Sequence, residues 1–284
     1  MFQPLNELGY EKYLNMNPFH ILLGVNLNEY NLQNSEDKLN KNNLNDSENR
    51  LLKKKKKGKN FSVNPNDKVP LFAELDDLIR LHYLVTSRKV STILEFGVGK
   101  STLVFDHALT SNKQKCESYV TEKLRRSNPF ECHSIDNSKK WINEVKKLKP
   151  SKNVFIHFSR CHMGTFNSRI CTFYDKIPNI CPDLIYLDGP DQFSVKGDVR
   201  GISTRSQDRL AMAGDILTLE HFLLPGTLIV VDGRTANARF LKSNLQRDWS
   251  YKYFEEYDQH FFELTETSLG KLNSLQMKLS NLIS

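Results

Sequence analysis

Two apolar segments of the sequence end in the same chemistry. LIYLDGP (184–190) and LIVVDGR (228–234) each place a carboxylate, Asp188 and Asp232, at the end of a buried-strand pattern. In open α/β sheets such ends face the crevice where ligands bind. Two readings of the pair stand side by side. Both carboxylates hold a divalent cation such as Mg²⁺, which orients an acceptor hydroxyl and lowers its pKa. Alternatively, one is a general base and the other a hydrogen-bonding or structural group. His162 is the histidine placed for acid–base work, whereas His157 within a strand and His221 within a helix read as structural. Asp191, Lys196, Arg200 and Arg234 form a candidate substrate-binding set. The cations, with Arg205 and Arg239, suit a phosphate or carboxylate clamp or simply scattered surface charge.

Positioning these residues takes alternating strands and helices. Apolar spacing predicts helices over 71–89, 100–111, 138–148, 205–223 and 235–248, with Ser138 as an N-cap. Strands are expected at 91–96, 130–136, 153–158, 182–190, 226–233, 251–257 and 260–266. Alternation implies a parallel sheet with helices on both faces. Only Asp258-Gln259 separates the last two strands, too few residues for a crossover, so they pair antiparallel. The expected fold is therefore α/β and doubly wound, a mostly parallel seven-stranded sheet with a C-terminal antiparallel hairpin. A loop over 192–206 is long and polar enough to be a lid or acceptor site.

The first strand runs into a glycine turn, STILEFGVGKST (91–102), that fits a nucleotide-like ligand: glycines let the backbone approach closely, and the following helix start offers unpaired N–H groups. A P-loop would need a glycine at Leu94, and a dinucleotide fingerprint would need one at Thr102 and an acidic residue nearer than Asp136. EFGVGKST (95–102) resembles motif I of class I S-adenosylmethionine-dependent methyltransferases, in which Ser or Thr often replaces the last glycine, here Ser101 and Thr102. The resemblance covers about residues 70–266 and includes the closing hairpin. It implies S-adenosylmethionine as cofactor, with Glu95 helping to hold its amino-acid end, often through water, and Gly97 and Gly99 beneath it. Asp136, ending CHSID, matches the carboxylate for the ribose hydroxyls; its other reading is a charge at the start of the next helix. The family's adenine contacts follow the third strand, where Ser159 lies in FSRCH without an acidic partner. Catechol-type O-methyltransferases use a metal between such strand-end carboxylates, but Gly233 stands where their third oxygen ligand falls, leaving Asp191 as a substitute. DGPD (188–191) departs from the [DN]PP[YF] motif of amino-methylating enzymes at Gly189 and Asp191, which lowers base or amide methylation.

The 284 residues include 39% hydrophobic and 26% charged, with a net charge of +7, as for a soluble globular protein that tolerates an anionic partner. Five cysteines without CxxC spacing speak against a zinc site or disulfide framework. The N-terminus lacks a signal-peptide pattern and no apolar run spans a membrane, so a cytoplasmic location is expected. Three parts follow: an Asn/Lys-rich extension over 1–68, partly disordered, with a short anchoring element expected at 18–27; the α/β domain over 69–266; and a helical tail over 267–284 able to pack on the domain or on an oligomeric partner. The leading expectation is O-methylation of a small or glycan-like acceptor, in a pattern resembling bacterial surface-polysaccharide enzymes. The alternatives are an RNA or DNA methyltransferase gripping phosphates with Lys53 to Lys57, and a non-catalytic binding protein of the same fold.

Overall fold

The structure, a computed structural model, describes residues 1–24, 75–206 and 208–282. The lysine run and most of the expected Asn/Lys-rich extension lie outside the described residues, as does the part of the expected anchoring element beyond residue 24. Two compact units divide the chain, Met1–Ile79 and Arg80–Ser284. In the first, helices α1 (Gln3–Leu8) and α2 (Tyr10–Met16) precede a 3₁₀ turn at Phe19–Ile21, with Leu5, Tyr13, Leu14 and Phe19 buried. These short helices carry no sustained apolar period, and Pro4 and Gly9 punctuate them. Helix α3 (Leu75–Ser87) follows the undescribed segment.

In the second unit, β1 (Thr92–Phe96), α4 (Lys100–Lys123), β2 (Glu131–Asp136), α5 (Lys139–Lys147) and β3 (Val154–Phe158) build one half of the sheet. A hairpin, β4 (Cys161–Phe166) and β5 (Arg169–Tyr174), leads to β6 (Leu184–Leu187), α6 (Asp215–Leu219), β7 (Leu228–Asp232) and α7 (Thr235–Lys242). Strands β8 (Trp249–Phe254) and β9 (Gln259–Leu264) and helix α8 (Gly270–Leu279) complete it. Among the described residues seven strands form one sheet in the order β3-β2-β1-β6-β7-β9-β8. The first five pair in parallel, and β9 pairs antiparallel with both β7 and β8. Every residue of β1 and β6 is buried, as expected for central parallel strands; β6 is wholly apolar or aromatic, whereas β1 also buries Thr92 and Glu95.

Alternate side chains sort the helices onto two faces. Leu94, Phe96, Ile135, Ile185, Leu187 and Val231 point toward α6 and α7, where they join Ile216, Leu217, Ala238 and Leu241 in one core. Their neighbours on the other face meet α4 and α5: Tyr186 packs edge-on against Phe105, and Ile156 packs with Ile142 and Val145. The chain leaves β1 toward β2 and β3 on one side and returns to β6 and β7 on the other. The β1–β6 junction is thus the topological switch point, where ligands collect in such sheets.

One expectation is corrected, and one element is additional to those expected. The helix expected over 205–223 is confined to Asp215–Leu219, followed by a 3₁₀ turn at Glu220–Phe222 that leaves His221 exposed. The preceding backbone is taken by tertiary hydrogen bonds. Thr172 N–H reaches Met212 O at 2.7 Å, Gly214 N–H reaches Thr172 O at 2.9 Å, and the Asn237 carboxamide grips both polar groups of Ala213. The hairpin β4–β5 was not expected; it turns at Asn167-Ser168, both at positive φ, the geometry of a tight two-residue hairpin turn. No helix among the described residues is long and apolar enough to cross a membrane.

Candidate active site

The glycine turn after β1 is fixed from inside. Glu95 is fully buried; its Oε1 accepts from Ser101 Oγ at 2.5 Å, and its Oε2 accepts from Thr102 Oγ1 at 2.6 Å and Ser134 Oγ at 2.5 Å. Thr102 Oγ1 in turn accepts from Gly99 N–H at 3.2 Å. Burial pushes the Glu95 carboxyl up to about 7, against the three hydroxyl hydrogen bonds that favour its charge. Glu95, Ser101 and Thr102, expected at the cofactor, thus meet one another beneath the turn. Gly97 has φ 101, and a Cβ there would lie 2.9 Å from the backbone of Asp188 and Gly189. The turns after β1 and β6 therefore press backbone to backbone, which only glycine permits. Gly99 is different: an added Cβ would meet nothing nearer than Ser101 Oγ at 3.7 Å, so the chain is open to a close approach there.

Asp136, at the end of β2, is buried. Its Oδ2 accepts from Val98 N–H at 2.9 Å and its Oδ1 from Ser138 N–H at 2.6 Å. One carboxylate thereby joins the glycine turn to the start of α5, so both roles expected of it, ligand and helix-start charge, draw on the same position. Burial raises its pKa to about 6 against those two hydrogen bonds. The backbone N–H of Ser159 bonds Asp136 O at 3.0 Å, and its hydroxyl accepts from Lys176 N–H at 3.0 Å, which places Ser159 beside Asp136 in a local anchoring role.

Asp188 and Asp232 end neighbouring strands and act on each other electrostatically. Dehydration by the surrounding protein raises Asp188 above the usual carboxylate range; the Arg234 guanidinium opposes the rise, and Asp232 and Asp136 add to it. The rise is tempered by solvent, because 55% of the Asp188 side chain is exposed in front of the strand ends. Arg234 Nε lies 3.6 Å from Asp188 Oδ1, and its Nη2 donates to Asp188 O at 2.7 Å and Pro190 O at 3.1 Å. Asp232 Oδ2 accepts from the Tyr186 hydroxyl at 2.8 Å, a partner that sequence reasoning did not name although Tyr186 lies two residues before Asp188.

The remaining candidates separate from this centre. Asp191 caps its own turn, accepting from Phe193 N–H at 3.1 Å and Ser194 Oγ at 2.7 Å, and exchanges two backbone hydrogen bonds with the Asn137 carboxamide. His162 pairs with Asp175 at 2.9 Å on the half-exposed side of the small hairpin. Lys196 and Arg200 have exposed side chains. The Lys196 backbone is bonded to Cys161 and Met163 of β4, so this part of the expected lid is docked on the hairpin. The donor set for a divalent cation does not assemble. Among the described residues no three His, Cys, Asp or Glu side chains stand close enough together to hold one metal ion, Asp191 is engaged in its own turn, and Arg234 supplies the positive charge beside Asp188.

No family model matches the chain, and no curated protein matches it. Solved structures do resemble it. A methyltransferase of Podospora anserina, bound to S-adenosylhomocysteine (SAH), is 13% identical over 70% of this chain and 83% of its own, with a TM-score of 0.39. The O-methyltransferase TomG of Streptomyces achromogenes, involved in tomaymycin synthesis and solved with S-adenosylmethionine, is 13% identical over 71% and 83%, with a TM-score of 0.34. An O-methyltransferase of Bacillus cereus in complex with SAH is 10% identical over 74% and 90%, with a TM-score of 0.34. All three are methyltransferases, and the resemblance is one of fold.

Proposed function

We propose that this chain is an S-adenosylmethionine-dependent methyltransferase acting on an oxygen of a small or glycan-like acceptor. The observation that carries the reading is the convergence, at the switch point of the sheet, of an open glycine turn with carboxylates from the ends of β2, β6 and β7. Two of these carboxylates suit different tasks. Asp136 is buried and held by backbone, a fixed acceptor for paired ribose hydroxyls. Asp188 is open to solvent, with a raised pKa and a guanidinium alongside, as a base for an acceptor hydroxyl requires.

S-adenosylmethionine, when bound, supplies an activated methyl group. The chain supplies position and a proton acceptor. Gly99 lets the ligand lie against the backbone, and Glu95 acts one layer below by locking Ser101 and Thr102 so that the turn keeps its shape. Asp188 takes the proton from the acceptor hydroxyl on a carboxylate oxygen. Arg234 steadies Asp188 through its main-chain carbonyl, and Tyr186 holds Asp232 as a neighbouring polar wall. Most of the rate in such a reaction comes from alignment, and the base adds about 10²–10⁴-fold.

The test is to incubate the full chain with methyl-labelled S-adenosylmethionine and a panel of phenols, mono- and oligosaccharides and amines, and to measure labelled methyl ethers, methylamines and SAH. Asp188→Asn should suppress turnover by about a hundredfold or more while leaving SAH affinity unchanged. Full activity in Asp188→Asn would remove Asp188 as the base, and labelled products confined to amines would overturn the oxygen acceptor.

A further inference from the structure

The hydroxyl of Tyr174 is a buried polar group to which the reading above gives no work. Tyr174 ends β5, is 6% exposed, and its hydroxyl oxygen has no hydrogen-bond partner. Two contacts fix where the ring lies. It stacks on Phe96, with centroids 5.8 Å apart and planes inclined by 28°, and Phe96 is the last residue of β1 before Gly97. Its backbone N–H donates to Asp215 Oδ1 at 3.0 Å, while across the hairpin it pairs with Cys161. The phenol is thus carried by the hairpin against the end of β1, beside the glycine turn.

The charges acting on the hydroxyl agree with that placement. Burial lifts its pKa well above the usual tyrosine value. Of the charged groups, Asp136 adds most to the rise, Asp215 adds to it as well, and Arg234 opposes it. Asp136 and Arg234 both belong to the strand-end site. A hydroxyl that is enclosed in protein yet makes no bond is costly to leave unmatched, and such groups ordinarily face a ligand or an ordered water.

We propose that Tyr174 is a further cofactor-binding residue, whose hydroxyl bonds a ribose hydroxyl of the bound nucleoside beside Asp136. The inference rests on the S-adenosylmethionine reading of the site. The chemistry is complementary: an ionised Asp136 can only accept, so a ribose hydroxyl that donates to it can still accept from the phenol, which is a donor as well as an acceptor. The hydroxyl is enclosed, so its neighbours must move aside for the ligand to reach it. The competing occupant is a buried water shared with Asp215 Oδ2, which also lacks a partner.

Tyr174→Phe separates the two, because it keeps the ring on Phe96 and removes only the hydroxyl. SAH is titrated calorimetrically into the full chain and the variant, and both are melted without ligand. The expected result is about tenfold weaker SAH binding with a melting temperature unchanged or raised, since an unmatched buried group has been removed. Equal SAH affinity would assign the hydroxyl to water and overturn the inference while leaving the cofactor reading intact. A loss of affinity matched by a loss of thermal stability would make Tyr174 structural and overturn it too. Absence of SAH binding by the folded parent chain would overturn the cofactor reading itself.

Discussion

Glu95 carries no exposed surface, and three hydroxyls donate to its two oxygens. The sequence motif placed it at the cofactor. What the residue types could not show is that Ser101, Thr102 and Ser134 would all turn inward to it, since Ser134 arrives from a different strand through β1–β2 register. The burial has a measurable consequence. The folded carboxyl holds its proton up to about pH 7, against 4.5 in the ordinary state. The folded chain therefore binds more protons than the unfolded chain between those values, so this group's contribution falls as pH rises from 4.5 to about 7. Glu95→Gln keeps the shape and removes the titration, and the hydroxyls can rotate to accept from the amide. Thermal melts from pH 5 to 8 should show the parent losing stability relative to Glu95→Gln as pH rises. Parallel curves would mean that Glu95 does not titrate in this range.

At the scale of elements, the turns after β1 and β6 are one feature. An added Cβ at Gly97 would meet the Asp188–Gly189 backbone at 2.9 Å, and one at Gly189 would come 2.7 Å from Gly97 N. Gly97→Ala combines this overlap with positive φ, and should cost at least ~2 kcal/mol in denaturant unfolding while disturbing Asp188. A stability within a few tenths of a kcal/mol of the parent would show that the two turns do not touch. Much at this scale was legible: the buried runs of β1, β6 and β7 and the short β8–β9 connection identify themselves by composition and length. The β4–β5 hairpin was missed although CHMGTFNSRICTFY has a polar pair, Asn167-Ser168, between two strand-like halves. The helix expected over 205–223 was lost to partners 24–42 residues away in sequence, Asn237 and Thr172, which periodicity within the segment cannot reveal.

For the whole molecule, the net charge of +7 and the local charge at the site have opposite signs. Asp136, Asp188 and Asp232 outnumber Arg234 at the strand ends, a balance suited to the proposed cationic sulfonium cofactor and the proposed uncharged hydroxyl acceptor. The doubly wound order creates that crevice, since β1 and β6 part company only at the switch point, and the three carboxylates come from strands on both sides of it. The most direct test is calorimetric titration of SAH into the full chain and into Gly99→Val. Gly99 has an extended backbone and open space before it, so the added side chain should leave folding intact and occupy the ground the cofactor needs. The prediction is one-to-one binding by the parent and at least a hundredfold weaker binding by Gly99→Val at an unchanged melting temperature. A well-folded parent that does not bind, or a Gly99→Val variant that binds as tightly, would contradict the site.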